Sequence, residues 1–226
     1  MLDAIAPVPS HTQLVYERLR DALRDARLEG GRLLNEADLA RQLGVSKTPV
    51  REALLRLASE GFVQTLPRRG SQVVHLSLRD IEEIFEVREM LEAEVIRLAL
   101  PRLDDAVLAE LDAIVQRGSE AIARAEYAPF TAADIQLHDR LAQAAGNSRL
   151  LQMLDGIRGW VQRVRMACHE YRLDPSRPAR AQAEHAQLVE ALRARDPGAE
   201  LIVREHVASL KRDLLRHLEA QGRDHI

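Results

Sequence analysis

Aromatic residues are scarce. They make up 3% of the 226 residues, with one Trp, three Tyr and three Phe. A core built from this chain is therefore packed by aliphatic side chains, which favours helices over aromatic-rich sheets. Cysteine is nearly absent. A single Cys168 excludes an internal disulfide and fits a reducing cytoplasm. No run of about 20 apolar residues occurs, so no membrane-spanning helix is expected. The N-terminus lacks the basic-then-apolar pattern of a secretory signal, and the expected location is cytoplasmic. Motifs of several enzyme classes are also missing. Gly44-Val-Ser-Lys-Thr lacks the Gly-rich lead of a phosphate-binding loop, His169-Glu170 lacks the second His of a zinc-protease helix, and no Gly-x-Ser-x-Gly elbow exists.

An excess of one charge is missing too, since the net charge is −3. The halves differ, however. Residues 1–75 hold 11 Lys+Arg against 9 Asp+Glu, a net of +2, and the remainder holds 21 against 26, a net of −5. Only the front is mildly cationic. Affinity for DNA would rest on local placement of charge and on two copies binding together.

The local placement is in Leu39 to Gly61, which reads as two short helices joined by a tight turn. Leu39, Ala40 and Leu43 give the first an apolar edge, and Gly44 ends it by accepting a positive φ. Ser46 is placed to cap the second, with Pro49 in its first turn. Val50, Ala53, Leu54 and Leu57 recur at helical spacing until Gly61. Lys47, Thr48 and Arg51 lie off that stripe, at the helix end that a helix-turn-helix inserts into the major groove. Arg51 suits a bidentate contact to guanine, and Thr48 suits base or phosphate. Phe62 to Val74 then gives two β-prone runs around Pro67-Arg68-Arg69-Gly70, a hairpin wing with cationic charge at its tip. A supporting helix is expected from His11 to about Leu28, after a loose arm containing Pro7 and Pro9.

The length allows two modest domains. Residues 1–75 form the winged helix-turn-helix, three helices plus a β-hairpin. Residues 76–226 read as an all-α antiparallel bundle of about six helices. The segments run from Ser77 to Leu100, Asp104 to Ala125, Phe130 or Thr131 to Gly146, Asn147 to Tyr171, Ala179 to Arg195 and Gly198 to Ala220. Residues 221–226 are expected to fray. The chain as a whole is mainly α.

Polar residues interrupt the apolar faces of the bundle. Asp134 and His138 stand at i and i+4, on the side of their helix that carries Leu137 and Leu141. His185 lies between Ala181 and Leu188. His206 lies between Val203 and Val207. Two readings fit. Each His is a hydrogen-bonded core residue, or the three imidazoles and the carboxylate converge as ligands of a divalent transition metal. Zinc suits this set first, with nickel or manganese as alternatives. Arg88 also falls within an apolar stripe, and a buried guanidinium needs an anion. Glu92 at i+4 fits, and so does the carboxylate of a ligand.

Two resemblances bear on these readings. Gly44-Val-Ser-Lys-Thr-Pro-Val-Arg-Glu-Ala-Leu54, Glu60-Gly61-Phe62-Val63 and Arg69-Gly70 resemble the winged domain of GntR-type bacterial transcription regulators. Gly30-Gly31 departs from the Pro-Gly common there, and Ala37 replaces an Arg that helps many members hold DNA. The back half resembles the FadR-like (FCD) effector domain, at Arg88-x-x-x-Glu92, Asp134-x-x-x-His138, Gly146-Asn147, Glu184-His185 and Arg204-x-His206. In many members of that branch an Asp and three His hold a metal, and a small carboxylic acid completes its coordination. Carried over, the ligands are Asp134, His138, His185 and His206, and Arg88, from the burial argument above, is the expected effector contact. The resemblance implies a ligand-responsive repressor that binds a palindromic operator in double-stranded DNA as a homodimer. Lys47, Thr48, Arg51, Arg68, Arg69 and Gly70 would touch DNA. The alternative expectation is a metal-dependent enzyme acting on a small carboxylic acid, with an attached DNA-binding domain.

Overall fold

A computed structural model describes residues 10–25, 27–67, 69–170 and 174–225, with the backbone alone at residue 24 and over 165–170. The expected arm at residues 1–10 lies outside the described residues except for Ser10, and Arg68 and the side chain of Cys168 lie outside them too. Two compact units emerge. One holds the chain up to Ser77 with Gln162–Ala167 and His225, and the other holds Leu78–Val161 and Cys168–Asp224.

The first unit is a winged helix-turn-helix. It contains α1 (His11–Arg24), β1 (Leu33–Leu34), α2 (Glu36–Leu43), α3 (Lys47–Ser59), β2 (Val63–Leu66) and β3 (Gly70–Val73). Ser10 caps α1 by accepting from the Gln13 N–H, and Asn35 caps α2 by accepting from Ala37 and Asp38. Gly44 terminates α2 at φ 67°, as the turn requires. Ser46 occupies the N-cap of α3 with extended backbone, but its side chain makes no capping bond. The buried face of α1, with Val15, Leu19 and Leu23, joins Val50, Ala53, Leu54 and Leu57 of α3 in the core of this unit. Burial of such side chains is worth about 1.5–3 kcal/mol each, and it decides which face of α3 stays outside.

The sheet is larger than a hairpin. Its order is β1-β3-β2, all antiparallel, with Leu33 opposite Gln72 and Val63 opposite Val73. Two residues are too few to show alternation, so β1 leaves no periodic trace in the sequence. Helix α1 also stops at Arg24 rather than Leu28, where the Asp25 N–H closes the last turn on Asp21.

The second unit is all-helical. It contains α4 (Leu78–Ala99), a 3₁₀ turn at Leu100–Arg102, α5 (Asp105–Ala123), α6 (Tyr127–Ala144), α7 (Ser148–Glu170) apart from its stretch Gln162–Ala167, α8 (Arg177–Arg193) and α9 (Ala199–Ala220). Ile96, Leu111, Leu137, Leu188, Leu192 and Val203 meet in its core. Two helices begin earlier than expected. Pro129 and Pro178 sit in the first turns of α6 and α8, where a missing N–H has no intrahelical acceptor to lose. Residues 221–225 do not simply fray. The Leu78 N–H donates to Asp224 O at 3.2 Å, and Ser77 bridges His225. No helix among the described residues is long and apolar enough to cross a membrane.

Gly44 and Gly156 both face open space, with nothing within 4 Å of an added Cβ. Their backbones differ, so one substitution should act with opposite signs. Gly44→Ala forces a side chain into the left-handed region and should cost about 1–2 kcal/mol. Gly156→Ala, inside α7, should stabilise by about 0.5–1 kcal/mol. Urea denaturation of both variants checks the signs.

Candidate functional site

The exposed face of α3 carries two kinds of charge. Glu52 accepts from the Thr12 hydroxyl at 2.7 Å. Arg56 donates to Gln13 and Glu60 and lies 3.7 Å from the Tyr16 ring centroid. Both therefore hold α1 to α3. Lys47, Thr48 and Arg51 are exposed, and none has a side-chain partner among the described residues. They form a donor-rich end on a helix whose N-terminal dipole already favours anions. In the wing, Arg69 is exposed. Gly70 turns the strand at φ 91°, and a Cβ there would lie 3.0 Å from Leu34 O. The requirement for glycine at position 70 thus comes from strand packing, whatever its backbone meets outside.

In the helical unit, Asp134, His138, His185 and His206 come together. One donor atom from each lies within 4.8 Å of the others. Helix α6 brings the first two, α8 the third and α9 the fourth. His185 Nε2 stands 3.3 Å and His138 Nε2 3.8 Å from Asp134 Oδ1. The ring centroids are 4.6–5.6 Å apart. Tetrahedral zinc with bonds of about 2.0–2.1 Å spaces its donors by about 3.3 Å, so the cluster needs only a small contraction.

Carboxylates outside the cluster set the tautomers. His206 Nδ1 lies 2.7 Å from Glu184 Oε2, and His138 Nδ1 lies 2.6 Å from Glu92 Oε2. The carboxylate beside each Nδ1 favours the tautomer with its proton there and the Nε2 lone pair presented, and of the two contacts only that of Glu184 is aligned as a hydrogen bond. His138 Nε2 is buried with no hydrogen-bond partner among the described residues. An orphaned imidazole nitrogen facing two more imidazoles and a carboxylate fits a cation better than it fits an apolar core. Burial pushes the His206 imidazole down to about 3, against the raising effect of Glu184. Its neutral form is the one a metal takes. Burial alone would raise the Glu184 carboxyl, but His206 and Arg177 outweigh it and bring it down to about 2. Burial likewise opposes ionisation of Glu92. The charges of Arg88 and His138 overcome that and hold its carboxyl below the usual range.

Arg88 finds the anion expected at i+4. It is 2% exposed, and its Nε donates to Glu92 Oε1 at 2.6 Å. Its Nη1 is buried and has no hydrogen-bond partner among the described residues. Glu92 thus satisfies one edge of the guanidinium and leaves a donor over. The sequence reading missed that Glu92 also braces His138, and it missed the role of Glu184. The available signal was position: Glu184 adjoins His185, and Arg177 stands two turns before Glu184 on the same face.

Two family models match the sequence. One, described as bacterial regulatory proteins of the gntR family, covers residues 11–73. The other, the FCD domain, covers residues 83–209. An HTH-type transcriptional regulator from an unstable DNA locus of Streptomyces ambofaciens is 31% identical, over 89% of this chain and 84% of its own length. The HTH-type transcriptional repressor RspR of Escherichia coli is 26% identical, over 96% and 94%. Among solved structures, E. coli McbR/YncC superposes with a TM-score of 0.76 at 25% identity, over 95% of this chain and 100% of that one.

The titrations have a consequence for stability. An unfolded chain protonates its imidazoles near pH 6.5, while folded His206 resists until about 3. Proton uptake by the unfolded state therefore removes stability as pH falls below 6.5. Glu184, depressed in the fold, contributes stability above about 4.5 that is lost as pH falls towards 2. Metal-stripped protein should melt at a lower temperature at pH 5 than at pH 7.5, and the gap should shrink in His206→Gln. Calorimetry across that range is the check, and an equal gap in both proteins contradicts it.

Proposed function

The chain belongs to the GntR family of bacterial regulatory proteins and carries an FCD domain, and we propose that its action on DNA is commanded by a divalent metal and a small carboxylate held in the helical unit. It is a DNA-binding transcription regulator, and the enzyme alternative is set aside because its relatives are regulators. In this reading residues 1–75 bind DNA, and residues 76–226 bind the effector and pair two chains. The protein works in the cytoplasm as a homodimer. Two α3 helices enter successive major grooves of a palindromic operator, with half-site centres about one helical turn apart. Lys47, Thr48 and Arg51 meet base edges and phosphates. Arg68, Arg69 and Gly70 bring the wing to the backbone or minor groove. Relatives named as repressors, RspR and a gluconate operon repressor of Bacillus licheniformis, support a repressor reading.

The observation that carries the metal is the four-donor cluster with its orphaned His138 Nε2. Asp134, His138, His185 and His206 would hold the ion. Zinc fits this set of three nitrogens and one oxygen, with nickel or manganese as alternatives. The ion would supply a Lewis-acidic position for an acid group. The leftover Nη1 of Arg88 supports a carboxylate effector, since a guanidinium edge matches that group. A ligand shifts DNA affinity only by binding one arrangement of the regulator better than another.

Anisotropy titrations on a duplex from the adjoining intergenic region test this. The regulator should prefer that duplex over random sequence, and a member of a panel of small mono- and dicarboxylates should shift its affinity. In His185→Ala the shift should vanish while DNA binding persists. Arg51→Ala should relax discrimination at one base position by about 1–3 kcal/mol. An effector response unchanged by His185→Ala contradicts the metal-centred reading, and unchanged base discrimination removes Arg51 from the reading set.

A further inference from the structure

Two ligand imidazoles are braced by a carboxylate, and each carboxylate is gripped by a buried arginine. Arg88 holds Glu92, which faces His138, and Arg177 holds Glu184, which faces His206. The two arginines are used differently. Arg88 keeps a donor to spare. Arg177 does not.

Arg177 is the first residue of α8 and is 6% exposed. Its Nη1 donates to Glu184 Oε1 at 3.1 Å and to Ser209 Oγ at 2.8 Å. Its Nη2 donates to Glu184 Oε2 at 3.2 Å and reaches the main-chain oxygen of His206 at 3.5 Å. The grip on Glu184 is bidentate, the geometry a guanidinium offers and an ammonium does not. Ser209 Oγ closes the ring, 3.1 Å from Glu184 Oε1 and 3.0 Å from His206 O. His206 is thereby fixed at both ends, its ring through Glu184 and its backbone through the same guanidinium. Asp213 stands 3.8 Å from Arg177 Nη1 and takes a 2.8 Å contact from Arg180, which secures the start of α8.

We infer that Arg177 is a positioning residue for the metal centre: by locking Glu184 against His206 it fixes the tautomer and ring plane of that ligand, and so sets the affinity of the site. Burying a guanidinium is costly unless its hydrogen bonds are filled, and here they go to Glu184, to Ser209 and to the main chain of His206. The inference rests on the metal reading above. It goes beyond it in assigning a role to a residue that touches neither ion nor effector. Loss of an outer-shell partner of this kind lowers metal affinity by about 10–100-fold.

The test uses Co²⁺ as the probe on chelator-treated full-length protein, reading affinity by competition titration and ligand geometry by the visible absorption of the bound ion. Arg177→Met should lower Co²⁺ affinity by about 10–100-fold and alter the spectrum. Arg177→Lys, which keeps charge but loses the fork, should fall between it and the wild type, and it carries the test should the Met variant not fold. Arg195→Met is the control. Arg195 donates to Leu100 O and Leu103 O elsewhere in the bundle, so its loss should lower the melting temperature and leave affinity and spectrum as in the wild type. Arg177 variants with wild-type affinity and spectrum overturn the positioning role. Absence of Co²⁺ binding by the wild type overturns the metal reading, and with it this inference.

Discussion

The contact between carboxylate and imidazole is the constraint on which the helical unit turns. A histidine in an apolar core has two nitrogens to satisfy, and the protein satisfies only one of them on two of its rings. Glu92 and Glu184 take the Nδ1 sides of His138 and His206. Low dielectric then disfavours a second proton, and burial holds the His206 imidazole well below its usual range. What remains is a pair of lone pairs aimed inward, with His185 and Asp134 beside them. A core that needed only filling would carry Leu at these positions, at less desolvation cost. Charge balance follows from the same contacts. Glu92 and the half-buried Glu184 are each met by a buried guanidinium, whereas Asp134 faces imidazoles.

The winged unit solves a different problem with the same economy of charge. Its net of +2 is too small to hold DNA by bulk attraction. Helix α3 therefore separates its polar residues by position. Glu52 and Arg56 tie α3 to α1, with Tyr16 and Glu60 completing the contact. Lys47, Thr48 and Arg51 remain at the open N-terminal end. Rigid attachment of α3 matters because base readout depends on placing a few donors to within fractions of an ångström.

Much of this was legible in the sequence. Apolar residues at helical spacing placed His138, His185 and His206 on buried faces, and all three are turned towards one centre. Gly44, Pro49 and the Leu54–Leu57 stripe specified the helix-turn-helix, because each of those residues has a local conformational meaning. What was not legible depended on docking. Glu184 adjoins an inward His, so on its own helix it reads as a flanking polar residue. Only the packing of α8 against α9 aims it at His206, 22 positions away. Glu92 read as a partner for Arg88 alone, since helical spacing reports one neighbour and the other belongs to α6. Strand β1 is two residues long and exists because β3 offers it an edge. The early starts of α6 and α8 were hidden by prolines that end helices in most positions but are tolerated in a first turn.

The central claim is that three imidazoles and one carboxylate of a single chain hold one ion. Native mass spectrometry of protein purified without chelator tests it most directly. The account predicts a mass excess of one divalent transition metal per chain, lost when His185 is replaced by Ala. A wild-type protein that carries no metal, even after incubation with zinc, nickel or manganese, would contradict it.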